Sequence, residues 1–96
     1  MLGFTATLAE EVAPHGVRVN AILPGAVDGD RIQKGIQAYA DANDVDYAAA
    51  EKHYLDRQPI GRLVPPGDIA ETIVFLAGDR ATSITGQFIE VSGGYR

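Results

Sequence analysis

The chain is 96 residues long, enough for one small domain and no more. Its 46% hydrophobic content is that of a folded protein rather than a disordered one, and no apolar run approaches the ~20 residues of a membrane-spanning helix. A net charge of −5 disfavours nucleic acid as a partner, the absence of cysteine excludes disulfide scaffolds and thiolate metal sites, and with no basic leader the cytoplasm is the default compartment.

Residues 1–13 have helical spacing. Leu2, Ala6, Ala9 and Ala13 share a face, Met1, Leu8 and Val12 flank it, and Pro14 with Gly16 stops it. The apolar period begins at residue 1 with no Ser, Thr, Asp or Asn before it to cap the orphan amides, which predicts that Met1 lies inside a longer helix. Val17 to Leu23 then predicts a buried strand, broken by Pro24 and Gly25. Strands of this kind belong to parallel sheets, whose ligands bind just past the strands' carboxyl ends.

From Asp28 to Gln58 the sequence turns alanine-rich, charged and spotted with tyrosine. It predicts two short helices joined at Asn43 and Asp44, an insertion of the length that more often serves as a lid or binding loop than as a connector. After an irregular stretch from Pro59, a helix is predicted from Pro66 to Ala77. Pro66 suits the first turn, Asp68 complements the dipole, and Ile69, Ile73, Leu76 and Ala77 form a core-facing stripe. Gly78 ends it. Gln87 to Val91 is the second strand, closed by Ser92-Gly93-Gly94. The order helix, strand, excursion, helix, strand implies parallel strands joined by a right-handed crossover. Two parallel strands cannot cover their own faces and edges, so this piece is expected to take neighbours from further chain or from a partner subunit.

At this point the residues match a family pattern. The run Gly3-Phe-Thr-Ala-Thr-Leu-Ala-Glu-Glu, then His15-Gly-Val-Arg-Val-Asn-Ala-Ile-Leu-Pro-Gly-Ala-Val27, resembles the short-chain dehydrogenase/reductase family after its catalytic helix has begun. Pro66-Gly-Asp-Ile-Ala, Val74-Phe-Leu-Ala-Gly-Asp-Arg80, Ile84-Thr-Gly-Gln and Val91-Ser-Gly-Gly94 resemble that family's last helix and strand. The resemblance implies an α/β fold, the carboxyl-terminal part of a Rossmann-type doubly wound parallel sheet. Residues 1–27 would be a core helix and strand, 28–58 a substrate lid, and 59–96 the last helix and strand. It implies NAD or NADP as cofactor and a small carbonyl or alcohol as substrate. It also places the family's Tyr-x-x-x-Lys motif upstream of Met1, so no catalytic residue is assigned here. The glycine-rich phosphate loop is absent as well.

By the same resemblance Pro24, Gly25, Ala26 and Val27 form the nicotinamide wall, with the backbone near Val27 bonding the carboxamide. Pro24 donates no amide proton, Gly25 permits close approach, and Val27 offers an apolar surface. The family often has a threonine two positions after that valine; here Gly29 supplies only backbone. Arg31, Tyr47 and Tyr54 are candidates for the substrate side, each also explicable as surface or packing. The first helix and last strand are the elements that pair subunits in this family, so a homo-oligomer is expected.

Other constellations carry less. Asp41, Asn43, Asp44, Asp46 and Glu51 suggest a calcium loop, but position six from Asp41 is Asp46 rather than glycine and position twelve is Lys52. His15 and His53 lack a second ligand at metal spacing, so no metal site is expected. Two functions remain: the carboxyl-terminal portion of an NAD(P)-dependent oxidoreductase, inactive alone, or a non-catalytic docking module derived from one.

Overall fold

A computed structural model describes residues 2–95, with side chains from residue 3 onward; the expected places of Met1 and of the Leu2 side chain on the first helical face lie outside the described residues. Helix α1 (Leu2–Val12) passes into a 3-10 turn at Ala13–His15, where Pro14 sits. Gly16 closes that turn at φ 73°, its N–H bonding Ala13 O at 3.0 Å. On the expected small-residue face Ala9 is buried, together with Thr5, whereas Ala6 and Ala13 are exposed.

Strand β1 (Ala21–Pro24) pairs in parallel with β2 (Phe88–Val91), in register from Ala21 opposite Phe88 to Pro24 opposite Val91. Between them lie α2 (Asp30–Asn43), α3 (Tyr47–Leu55) and α4 (Pro66–Ala77), and α4 packs against both strands. The fold is thus α/β with a parallel sheet, as expected.

The strand starts four residues later than its apolar run. Over residues 17–20 side chains stand in for much of the ladder: Val19 N–H donates to Thr85 Oγ1 (3.1 Å), and Asn20 donates to Ile84 O (2.9 Å) while accepting from Gln87 N–H (3.0 Å). At the other end Pro24 stays within the strand instead of breaking it. Gly25 supplies the N–H that bonds Val91 O (3.3 Å), so the missing proline amide leaves no gap.

The buried hydrophobic cluster lies between α2 and α3, where Ile36, Ala40 and Ala50 are enclosed by Ile32, Tyr39 and Tyr54. Asp44 takes the left-handed conformation at the joint, and Asp46 caps α3 by accepting from Ala49 N–H at 2.8 Å. This insertion carries its own core. The sheet does not.

Of the stripe expected to face the core from α4, Leu76 is buried and Ile69 half-buried, but Ile73 is 50% exposed and Ala77 is exposed. Two strands offer too narrow a face to cover the whole stripe. Ile73, Leu76 and Ala77 instead border an open groove with Gly16, Arg18, Asn20 and Ile22. The outer side of the same helix exposes Val74 (72%) and Phe75 (45%). The body is long, 55 × 24 × 21 Å, with a radius of gyration of 16.9 Å against about 12.5 Å for a compact domain of this length. Its accessible surface, 6573 Å², exceeds the about 5,300 Å² typical of a monomer of this mass.

What ties α4 to β1 is Arg18. Its guanidinium donates to Leu76 O (2.6 Å), a carbonyl of the last turn that the helix itself leaves without a partner, and to Gly78 O (3.2 Å) and Ile84 O (3.3 Å), which also accept Ala81 N–H and the Asn20 amide. Arg18→Ala should therefore cost about 1.5–3 kcal/mol in urea unfolding and speed amide exchange in the last turn of α4. Arg18→Lys should recover only part, because one ammonium cannot reproduce the planar fork. Unchanged exchange in that turn would show that the fork does not hold it.

Candidate functional site

Past β1 the chain does not simply turn away. Val64, in the segment leading into α4, donates its N–H to Ala26 O (2.9 Å) and accepts Asp28 N–H on its own carbonyl (2.8 Å), a parallel bridge opposite Val27. Both backbone groups of Val64 are consumed by the neighbours of Val27. In a trans peptide the C=O and N–H point in opposite directions, so the N–H and C=O of Val27 face away from Val64. The turn thereby presents one outward donor and acceptor pair.

Gln58 supports this arrangement. It is 1% exposed; its Oε1 accepts the N–H of Ala26, and its Nε2 donates to Arg62 O at 2.8 Å. Its own backbone is held at both ends, N–H to Leu55 O (2.9 Å) and C=O from Gly61 N–H (2.8 Å). Among the described residues no buried side-chain nitrogen or oxygen is left without a partner. The carboxyl-terminal tail closes over the same region: Ile60 N–H bonds Gly93 O (3.1 Å), and the buried Ser92 accepts Tyr95 N–H on Oγ (3.2 Å). Three segments far apart in sequence therefore meet at Gly25. A Cβ there would lie 2.5 Å from Gln58 Oε1 and 2.9 Å from the Ser92 backbone, so the position has room for glycine only.

Pro24, Gly25 and Ala26 border a concavity of about 320 Å³ completed by Ile32, Tyr54 and Tyr95. Its wall is largely apolar, with Tyr54 and Tyr95 contributing aromatic surface. Tyr54 is fixed by edge contacts to Tyr39 (6.3 Å) and His53 (5.8 Å), which stack on each other at 4.3 Å. The Arg57 guanidinium lies 5.1 Å over the Tyr95 ring, placing a cation at the rim.

Of the residues singled out in the sequence, Pro24, Gly25, Ala26 and Tyr54 thus come together, and Val27 is next in the chain, bridged to Val64. Gly29 follows at the start of α2 with φ 153°, a conformation that residues bearing side chains rarely adopt, and its carbonyl accepts Gln33 N–H (3.1 Å). Arg31 is exposed in the first turn of α2. Tyr47 stands apart from the turn, bordering a separate concavity with Asp30, Gln33, Lys34 and Gln37. Gln58, Val64 and Tyr95 were not singled out. Gln58 bonds Ala26 across 32 positions, and no local periodicity announces such a contact. Among the described residues no group of three or more His, Cys, Asp or Glu could hold a metal ion, and no helix is long and apolar enough to cross a membrane.

A family model described as enoyl-(acyl carrier protein) reductase matches residues 1–96. The oxidoreductase YmfI of Bacillus subtilis, itself uncharacterized, is 41% identical over 93 residues, covering 96% of this chain and 34% of that protein. A short chain dehydrogenase family protein of Francisella tularensis superposes with a TM-score of 0.90 at 35% identity, over 98% of this chain and 39% of the other. The L-sorbose reductase of Gluconobacter frateurii, in complex with NADPH and L-sorbose, superposes with a TM-score of 0.86 at 33% identity, over 98% of this chain and 36% of the other. The chain spans about a third of the length of the relatives it matches. With a family model matched from end to end and a shared parallel α/β architecture, the chain belongs to the short-chain dehydrogenase/reductase family.

Proposed function

We propose that this chain is the carboxyl-terminal portion of an NAD(P)-dependent oxidoreductase that interconverts a small carbonyl compound and its alcohol. The observation that carries the reading is the outward N–H and C=O pair of Val27 beside a concavity with a largely apolar wall. A nicotinamide carboxamide carries a carbonyl acceptor beside an NH2 donor group and so complements such a pair. The rest of the turn suits a flat ring. Pro24 adds no competing N–H, Gly25 keeps the wall flat, and the half-buried Val27 offers an apolar side chain. When bound, the cofactor supplies or takes up hydride. The chain's own residues orient the ring and, through Ile32, Tyr54 and Tyr95, keep water from part of the substrate side. Gly29 and the free amides that open α2 serve the cofactor's more polar parts, with Arg31 and Tyr47 further out along the same insertion.

The proton donor, its activating lysine and the phosphate loop lie outside residues 1–96 in this reading, so residues 1–96 alone should not turn over. The exposed Val74 and Phe75 on α4 fit an association surface, which favours a homo-oligomer of the whole enzyme. They also keep a docking module as the second reading.

Two measurements test the proposal. The full-length protein that carries this chain should bind NADPH or NADH in a fluorescence titration and reduce members of a panel of ketones and ketoses, while the isolated 96-residue chain should show no turnover. Reduction at enzyme-like rates by the isolated chain would refute the division of labour, and a full-length protein that binds no dinucleotide would leave only the docking reading. Gly25→Ala in the full-length protein should cost about 1–3 kcal/mol of stability through overpacking and weaken dinucleotide binding, since the Ser92 backbone must move. Wild-type affinity in that variant would remove the turn from the cofactor site.

A further inference from the structure

Gln58 occupies a position that a backbone hydrogen bond would otherwise fill. Ala26 O accepts from Val64 N–H, and Val64 O accepts from Asp28 N–H. Continued one step back, the same parallel ladder would join Ala26 N–H to Arg62 O. The Gln58 carboxamide stands in that rung: Oε1 takes the Ala26 N–H and Nε2 donates to Arg62 O at 2.8 Å. A carboxamide can accept on one side and donate on the other, as a peptide unit does; a carboxylate or an apolar side chain cannot. The inserted amide holds residues 26 and 62 one amide apart while residues 26–28 and 64 stay directly bonded. Because Gln58 is 1% exposed, held through its own N–H and C=O and followed by Pro59, its side chain has little freedom to leave.

We infer that Gln58 is a positioning residue for the dinucleotide: its amide sets the direction in which the Val27 N–H and C=O face the ring. This rests on the reading of the turn as the nicotinamide wall. Gln58 touches neither reacting atom and acts through Ala26. Its removal should therefore weaken the part of the cofactor that carries nicotinamide and spare the part that does not.

The test uses the full-length protein that carries this chain, with Gln58→Leu and Gln58→Glu. Binding is titrated with the dinucleotide that the wild type takes and with ADP-ribose, which lacks nicotinamide. Gln58→Leu should bind the dinucleotide about ten-fold more weakly, as expected for an orphaned buried N–H, with ADP-ribose affinity unchanged. Gln58→Glu should bind the dinucleotide well at low pH, where the protonated carboxyl both accepts and donates, and lose affinity as pH rises and its donor disappears. The wild type should lack that slope. Equal loss of both ligands, no loss of either, or a pH-independent Gln58→Glu would overturn the inference. Should Gln58→Leu fail to fold, the Gln58→Glu profile decides alone. A wild type that binds no dinucleotide overturns the reading of the turn and this inference with it, whereas a wild type that binds while its variants match it overturns only the role of Gln58.

Discussion

A strand that ends inside a protein must still satisfy its backbone, and the way β1 does so shapes everything around it. Beyond Gly25 the β2 partner is gone. Ala26 and Asp28 turn instead to Val64, with the Gln58 amide filling the step before. That short ladder joins the end of the strand, the exit of the helical insertion and the entry to α4. It also fixes which edge of residues 26–28 is occupied from within and which way the Val27 N–H and C=O face. Side-chain hydrogen bonds of this kind are modest individually, but an unpaired buried amide is costly, and that asymmetry makes the arrangement specific.

The insertion is more self-sufficient than the sheet it leaves. Ile36, Ala40 and Ala50 bury one another between α2 and α3, while the aromatic group of Tyr39, His53 and Tyr54 closes one side. Its tie back to the strand end runs through Gln58 and through Tyr54 at the concavity. A small unit with its own core that is tied to the strand end through these contacts suits the cover for substrate proposed above.

The remainder of the molecule is conspicuous for what it leaves uncovered. Ile73 and Ala77 face an open groove, Val74 and Phe75 lie on the outside of α4, and the overall surface is larger than a monomer of this mass should have. Burial of apolar area is the main stabilising term available to a domain of this size. These faces are therefore the natural places for further strands or a second subunit to pack. The open groove beside Arg18 shows the same point locally: the arginine satisfies the helix end, yet the apolar residues around it still lack a lid.

Much of this was legible in the residues themselves. The helical period of residues 66–77, the paired helices joined near Asn43 and Asp44 and the parallel order all follow from local spacing and turn chemistry, which act over a few residues. The family motifs rest on the same short runs. Other features could only come from the folded chain. The late start of β1 depends on Thr85 meeting Val19, and on Asn20 meeting Ile84 and Gln87, across more than sixty positions, and the splitting of Tyr47 from Tyr54 depends on how α2 and α3 pack. The role of Gln58 depends on a rung of a ladder that exists only once residues 26 and 62 are neighbours. Local sequence specifies which backbone conformations are favourable; which buried amide finds which distant partner is decided by packing, and here that choice determines which way the backbone of the turn faces.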